Sequence, residues 1–204
     1  MADMIPVITI SREFGSGGHT IGEQVAKSLS IPFYDGEIVN QTAVESGYCK
    51  ELIEEQGETT SSASKWFDIS AASTMYFQSP QDEIFLAQRK VILDAANKGP
   101  CVIVGRCSDY ILKKAGIYCL NVLIHADIKH REERVLKRYP DVNRDIDIAK
   151  RIERKDKRRR TFYRYYTDRH WGKYENYDLA LDSGTLGEDT CVHIICELAE
   201  KMNK

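Results

Sequence analysis

Apolar residues along the chain fall into short β-branched runs separated by longer stretches with helical spacing. "PVITI" (6–10), "CVIV" (101–104), "YCLNVLIHA" (118–126) and the shorter "DLALD" (178–182) read as strands, with Pro6 tolerable near the start of the first. "PFYD" (32–35) reads as one more short strand. Ile21, Val25, Ala26 and Leu29 recur at the helical period, and Pro32 stops that helix. A second helix carries Ile84, Ala87, Val91, Ile92 and Ala95 as its buried stripe. It opens on a Ser79 cap, with Pro80 in the first turn and Asp82 closing a capping box, and Gly99 ends it. "KHREERVLKRY" (129–139) and "DIDIAKRIERKDKRRRTFYRYY" (145–166) read as further helices. Residues 36–78 are less regular: two weakly helical stretches flank "GETTSSASKW", which has few apolar anchors and is expected to be mobile. Strands alternating with helices predict an α/β fold, a parallel sheet covered on both faces. No internal repeat or second domain is visible, so 1–204 is expected to be a single domain.

In such sheets, ligands gather at the carboxyl ends of the strands. "SREFGSGGHT" (11–20) follows the first strand and "GRC" (105–107) follows "CVIV", which places two candidate sites on one edge. In the first of these, Gly15, Ser16, Gly17 and Gly18 let backbone N–H groups converge on an anion, and the following helix adds its dipole. The common phosphate-loop pattern is G-x-x-x-x-G-K-[ST], in which lysine neutralises phosphate oxygens and the hydroxyl binds Mg²⁺. Here Glu13 replaces the first glycine, Gly18 keeps the second, His19 replaces lysine and Thr20 keeps the hydroxyl. A glycine turn that merely joins a strand to a helix satisfies the same residues, so this segment alone leaves both open.

Charge sharpens the picture. The chain is −2 overall, but residues 1–88 hold 4 basic and 13 acidic residues, against 25 and 18 in the rest, so the two parts are −9 and +7. Seven basic residues and two acids stand in 151–160. Clustering of this kind on an otherwise acidic chain points to a local polyanion site. Six cysteines form no Cys-x-x-Cys pair and lie mostly in apolar runs, as expected of buried reduced thiols in a cytoplasmic protein. Neither a signal peptide nor an apolar run long enough to span a bilayer is visible, so no membrane association is expected.

Read together, "ITISREFGSGGHTIG", "IPFYDGEIV", "VIVGRC", "DKRRRTFYRYYTDRHWG" and "NYDLALDSGTLGEDTCVHII" resemble the cytidylate kinase-like family, a branch of the P-loop nucleoside monophosphate kinases. The resemblance runs from Ile8 to about Ile195 and is weakest between Asn40 and Gln78. It implies a three-layer P-loop kinase fold: a five-stranded parallel sheet, an acceptor-binding helical insertion over about 36–98 and a basic helical lid over about 144–170. It also implies ATP as phosphoryl donor, Mg²⁺ as cofactor, small-molecule nucleotides as partners, and transfer to an acceptor, most simply CMP or dCMP.

Residue by residue, the resemblance assigns Gly15, Ser16, Gly17, Gly18, His19 and Thr20 to the donor phosphates, with Thr20 also on the metal. Arg106 matches an arginine that holds the acceptor's phosphate, and Asp35 lies near where the acceptor nucleotide sits. A surface arginine paired with a helix carboxylate, and a turn residue in "YDGE", are the plainer roles for these two. In the lid Asp156 and Arg159 match the family, Lys155 stands where another basic residue occurs, and Ile152 falls where the first arginine is expected. Lys155, Arg158 and Arg159 are expected to close on the transferring phosphate, drawn from an open segment by its charge, with Asp156 toward the acceptor or a neighbouring guanidinium. His19 is expected to act in part as a cation, and Val104 stands where such kinases often have aspartate. Three activities stay open: a kinase, a nucleotide-binding protein of the same fold without transfer, and an RNA-binding module using "KRRRTFYRYY". The acidic first part opposes the last.

Overall fold

The computed structural model describes residues 5–35, 80–138 and 147–202. The expected Ser79 cap, the segment 36–78 and Cys49 lie outside the described residues. Strands β1 (Val7–Arg12), β2 (Phe33–Tyr34), β3 (Val102–Val104), β4 (Cys119–His125) and β5 (Leu179–Asp182) form one sheet in the order β2-β3-β1-β4-β5. Every pairing is parallel, with Ile10 opposite Val104 on one side of β1 and Val122 on the other. The chain order reverses at β1, and the crevice beyond its carboxyl end is where a sheet of this kind binds ligands.

The helices are α1 (Gly18–Leu29), α2 (Pro80–Lys98), α3 (Ser108–Lys114), α4 (Ile128–Arg138), α5 (Ile148–Thr167), the single turn α6 (Ser183–Leu186) and α7 (Glu188–Lys201). Because strand side chains alternate, Ile8 and Ile10 meet Ile21 and Val25 of α1 and Ile195 of α7 on one face of the sheet. Val7 and Ile103 meet Val91 and Ile92 of α2 and Leu112 of α3 on the other. Each fully buried Ile or Leu here contributes about 1.5–3 kcal/mol. The result is the expected three layers.

Pattern and structure differ at two places. On α2 the inward stripe passes through Gln88, which is fully buried, while Ala87 is only half-buried. Positions 84, 88, 91, 92 and 95 share the face that meets the sheet, so a polar residue occupies the place the apolar pattern assigned to its neighbour. The second difference is α5. It is one continuous helix, capped by Asp147, whose side chain accepts the Lys150 N–H, and Ile152, Asp156, Phe162, Tyr163 and Thr167 are buried along it. The helix that carries the basic run thus packs on the fold along this one face, with Arg154, Lys157, Arg158 and Arg160 exposed.

Cys101, Cys107, Cys119 and Cys191 are buried free thiols. Burial pushes Cys101 up to about 12 and Cys119 to about 11, so both are protonated and unreactive at neutral pH. Among the described residues no helix is long and apolar enough to cross a membrane.

Candidate active site

The glycine loop leaves β1 at Arg12 and enters α1 at Gly18. It is pinned from beneath: the Glu13 N–H donates to Ile124 O at 3.0 Å. The buried Ser16 hydroxyl lies 2.9 Å from Glu13 O and 3.1 Å from Ile124 O, and Ser183 Oγ donates to Ser16 O at 2.6 Å. Ser16 therefore shapes the loop from beneath, and its own N–H donates to Glu13 O at 3.2 Å. The residue does not line the cleft above, so its expected place on the donor phosphates is not direct. Gly15 and Gly17 have φ of +87° and +82°, which favour glycine. A Cβ on Gly15 would also collide with backbone, 2.8 Å from Arg131 O, and one on Gly17 would crowd the Arg134 guanidinium carbon at 3.1 Å. The Gly18, His19 and Thr20 N–H groups of the first helical turn have no intrahelical acceptor and point out of the α1 terminus.

Above the loop lies a cleft of ≈ 280 Å³, lined by Gly15, Gly17, His19 and Thr20 together with Arg12, Arg134, Arg138 and Arg159. Four guanidinium groups facing one helix N-terminus make a site for several negative charges. Arg134 and Arg138 come from α4, where positions 131, 134 and 138 share a face. The cations expected from sequence were His19, Arg106 and those of 151–160; Arg12, Arg131, Arg134 and Arg138 were not among them. The signal for α4 was present as basic residues at helical spacing in "KHREERVLKRY".

Asp156 is the hub beneath this array. Its Oδ1 accepts the Phe14 N–H at 2.8 Å and lies 3.3 Å from Arg159 Nη1, while Oδ2 accepts from Arg131 Nη1 at 2.6 Å. Arg159 Nη1 in turn donates to Arg12 O at 3.0 Å. Asp156 thus holds loop, α4 and α5 together, which suits orientation of guanidinium groups. Arg159 reaches the cleft; Arg158 is exposed and Lys155 half-buried, and neither lines it.

Arg106 stands at the carboxyl end of β3, in a run of three left-handed residues: Gly105 (φ +79°), Arg106 (+57°) and Cys107 (+56°). Two successive non-glycine residues in that region store strain, which the packed surroundings sustain. Arg106 lines a smaller hollow with Arg12, Arg159, Phe162 and Trp171. Arg12 and Arg159 line both cavities, so the two sites predicted on one sheet edge do adjoin.

Asp35, just past β2, lies 3.1 Å from His19 Nε2, and the His19 ring meets Phe33 edge-on at 5.3 Å. Burial alone would raise the Asp35 carboxyl. The His19 hydrogen bond and the charges of Arg12 and Arg106 outweigh it and hold the group below its ordinary value. His19 therefore borders the cleft with its ring engaged on the β2 side. The aromatic residues of α5 are also engaged: Phe162 and Tyr163 are buried with Cys107, and Tyr166 stacks on Phe85 at 3.7 Å. Base stacking on "TFYRYY" has little free ring surface to use.

A parallel five-stranded sheet with a glycine loop after its central strand is the P-loop kinase fold, and solved structures agree. An uncharacterized protein from Eubacterium ventriosum matches with a TM-score of 0.70 at 24% identity, over 96% of this chain and 98% of that one. Shikimate kinase from Acinetobacter baumannii, solved with shikimate, matches at 0.54 and 13% identity, over 98% and 96% of the two chains. A gluconokinase from Sinorhizobium meliloti matches at 0.53 and 15%, over 98% and 96%. The chain itself belongs to the cytidylate kinase-like family, whose profile matches residues 7–185. No curated protein matches it. Family and fold together support phosphotransfer to a nucleotide or another small molecule.

Proposed function

We propose that the protein transfers the γ-phosphoryl group of ATP to a nucleoside monophosphate, most simply CMP or dCMP. The observation that carries this reading is the junction of two cavities through Arg12 and Arg159. One cavity, of ≈ 280 Å³, lies over the glycine loop, and the other, a hollow of ≈ 30 Å³ beside Arg106, opens from the same two arginines. Widened on binding, it would let an acceptor phosphate meet the donor end to end.

In this reading the loop N–H groups and the cleft arginines hold the donor phosphates, and Arg106 holds the acceptor's phosphate. An acceptor phosphate oxygen attacks the γ-phosphorus, the bond from γ-phosphorus to the β–γ bridging oxygen breaks, and ADP leaves. The nucleophile is already an anion, so no general base is needed. Charge spreads over the transferring oxygens, and Arg12 and Arg159, which border both cavities, are placed to stabilise it.

The cradle formed at Gly15 and Gly17, closed on one side by arginines, fits a triphosphate. For Mg²⁺, Thr20 Oγ1 offers one oxygen. Among the described residues no group of three or more His, Cys, Asp or Glu could hold a metal unaided, which suits an ion that keeps several waters and binds through substrate phosphates. When bound, Mg²⁺ would neutralise charge on the β- and γ-oxygens.

We further assign α5 as the element that tightens on both ligands, drawing Arg159 inward and excluding water. Hydrogen exchange across α5, with and without a bisubstrate dinucleotide, should show added protection on binding; unchanged protection would remove the lid role.

The experiment for the activity is ADP formation from Mg²⁺-ATP across a panel of nucleoside monophosphates. Acceptor-dependent ADP with CMP or dCMP supports the proposal. Binding of ATP with no acceptor-dependent turnover would favour the second reading, a nucleotide sensor of the same fold. Two features favour that alternative: Val104 where related kinases often carry aspartate, and the engagement of Thr20 Oγ1 by Arg134 at 3.0 Å.

A further inference from the structure

We propose that Arg134 supplies the donor phosphates with the fixed positive charge that lysine supplies in the common loop pattern, and that the histidine at position 19 is thereby released for a different task. This assignment rests on the reading of the glycine loop as the ATP phosphate site.

The geometry carries it in three steps. First, the side chain at position 19 is turned aside. Its Nε2 lies on Asp35 at 3.1 Å and its ring edge meets Phe33, both of them β2-side partners.

Second, Arg134 arrives at the same phosphate ground from the opposite wall. Its Nη2 donates to Thr20 Oγ1 at 3.0 Å, 114 positions away in sequence. Its guanidinium carbon stands 3.1 Å from where a Cβ on Gly17 would be. The charged head therefore lies across the first turn of α1, beside the N–H groups that would donate to phosphate. A guanidinium stays protonated at any physiological pH, even though burial and the neighbouring Arg138 charge lower this one from its ordinary value. Its planar fork can also donate to two phosphate oxygens at once, which an ammonium cannot match in geometry.

Third, Arg134 is held for this task. Its Nη1 forms an ion pair with Glu188, at the start of α7, and the two side chains are about equally exposed, at 23% and 25%. Glu188 acts as a positioning residue: it fixes one nitrogen and leaves the fork to face the loop. Gly17 completes the device, because any larger residue there would occupy the space into which the guanidinium folds.

The test compares affinities for ATP and adenosine by calorimetric titration of the full chain, since the ratio of the two isolates the phosphate contribution. In Arg134→Gln, ATP affinity should fall about 10- to 100-fold, with adenosine affinity within about twofold of wild type. Arg134→Lys should retain most of the ATP preference. The double variant His19→Lys with Arg134→Gln should regain it, because lysine then stands where the usual pattern puts it. Rescue from a second position is an outcome that a merely structural role for Arg134 would not give.

An unchanged ATP-to-adenosine ratio in Arg134→Gln overturns the assignment, as does a loss that neither lysine variant restores. If Arg134→Gln does not fold, Glu188→Gln serves instead. With its anchor gone the guanidinium should serve the loop less well and the ATP preference should fall severalfold, while an unchanged ratio overturns the positioning of Arg134. Failure of the underlying phosphate-site reading would look different, because wild type itself would then show no preference for ATP over adenosine.

Discussion

Asp156 and Phe14 are 142 positions apart, and the backbone N–H of Phe14 donates to Asp156 Oδ1 at 2.8 Å. The same carboxylate takes Arg131 Nη1 at 2.6 Å on its other oxygen. One buried side chain thus sets the height of the glycine loop above the sheet and the direction of two guanidinium groups. Replacing it with alanine leaves Arg131 and Arg159 short of a counter-charge in a buried place and frees the loop N–H. Asp156→Ala should lose about 3–5 kcal/mol of stability, measured by urea denaturation. ATP affinity at temperatures well below its unfolding midpoint should fall as well. Stability within 1 kcal/mol of wild type would show that the hub carries no weight.

Arg106 is expected to serve the acceptor. Arg106→Ala should raise the acceptor's KM by a factor corresponding to about 1.5–3 kcal/mol, the range of a charge-assisted phosphate contact, while that of ATP moves by less than threefold. Steady-state kinetics with each substrate varied in turn will separate the two. An effect confined to ATP would exchange the donor and acceptor sides.

Two carboxylates, one half-buried and one buried, should titrate with opposite consequences. Asp35 sits below its ordinary value of 3.8. It therefore contributes stability above pH 3.8, which is lost as pH falls through its lowered native value. Asp109 is the reverse. Burial raises it, and the Tyr163 hydroxyl, which donates to its Oδ2 at 2.6 Å, offsets only part of that. Its contribution is present below 3.8 and is lost as pH rises through the raised value. Relative to wild type, Asp35→Asn should lose ground as pH climbs from 3 to 5, and Asp109→Asn should gain ground across its own titration. Denaturation midpoints of the three proteins between pH 3 and 7 check both signs, and parallel curves would contradict them.

Gln88 is fully buried, and among the described residues neither its Oε1 nor its Nε2 has a hydrogen-bond partner. A carboxamide in that position costs about 1–3 kcal/mol of desolvation. Gln88→Leu should accordingly raise the thermal midpoint, by roughly 2–4 °C for each kcal/mol gained in a chain of this size. A lowered midpoint would mean that the amide is satisfied in solution. If the midpoint rises while acceptor KM worsens, the unpaired amide is kept for its effect on the acceptor side of the sheet.

Much of the architecture was legible along the chain because hydrophobic period is a local property. "PVITI", "CVIV" and "YCLNVLIHA" are apolar, β-branched and bounded by breakers, and each became a strand. Ile21, Val25 and Ala26 announced the buried side of α1, and glycine spacing announced the loop in front of it. The parallel sheet and the shared edge of the two candidate sites followed from alternation alone. Local pattern misplaced the inward residue of α2, because Ala87 and Gln88 are consecutive and both border the apolar stripe, so only the approach of the sheet selects between them.

The partners of the site were a different matter. Seven basic residues in 151–160 looked like one cationic surface, yet a helix turns by about 100° per residue, so its residues face in all directions. Ile152, Asp156 and Arg159 face the fold while Arg154, Lys157, Arg158 and Arg160 face water. Basic residues recur at helical spacing in "KHREERVLKRY", but nothing local told which of them would face the loop. Arg134 and Arg138 reach the loop because β4 pairs directly with β1, which swings α4 across the glycine turn. Residues 114 and 142 positions apart meet here through the order of strands in the sheet, a choice made by the packing of whole faces. The chain's own pattern determined that an anion would be met at the end of β1; tertiary packing decided which cations stand around it.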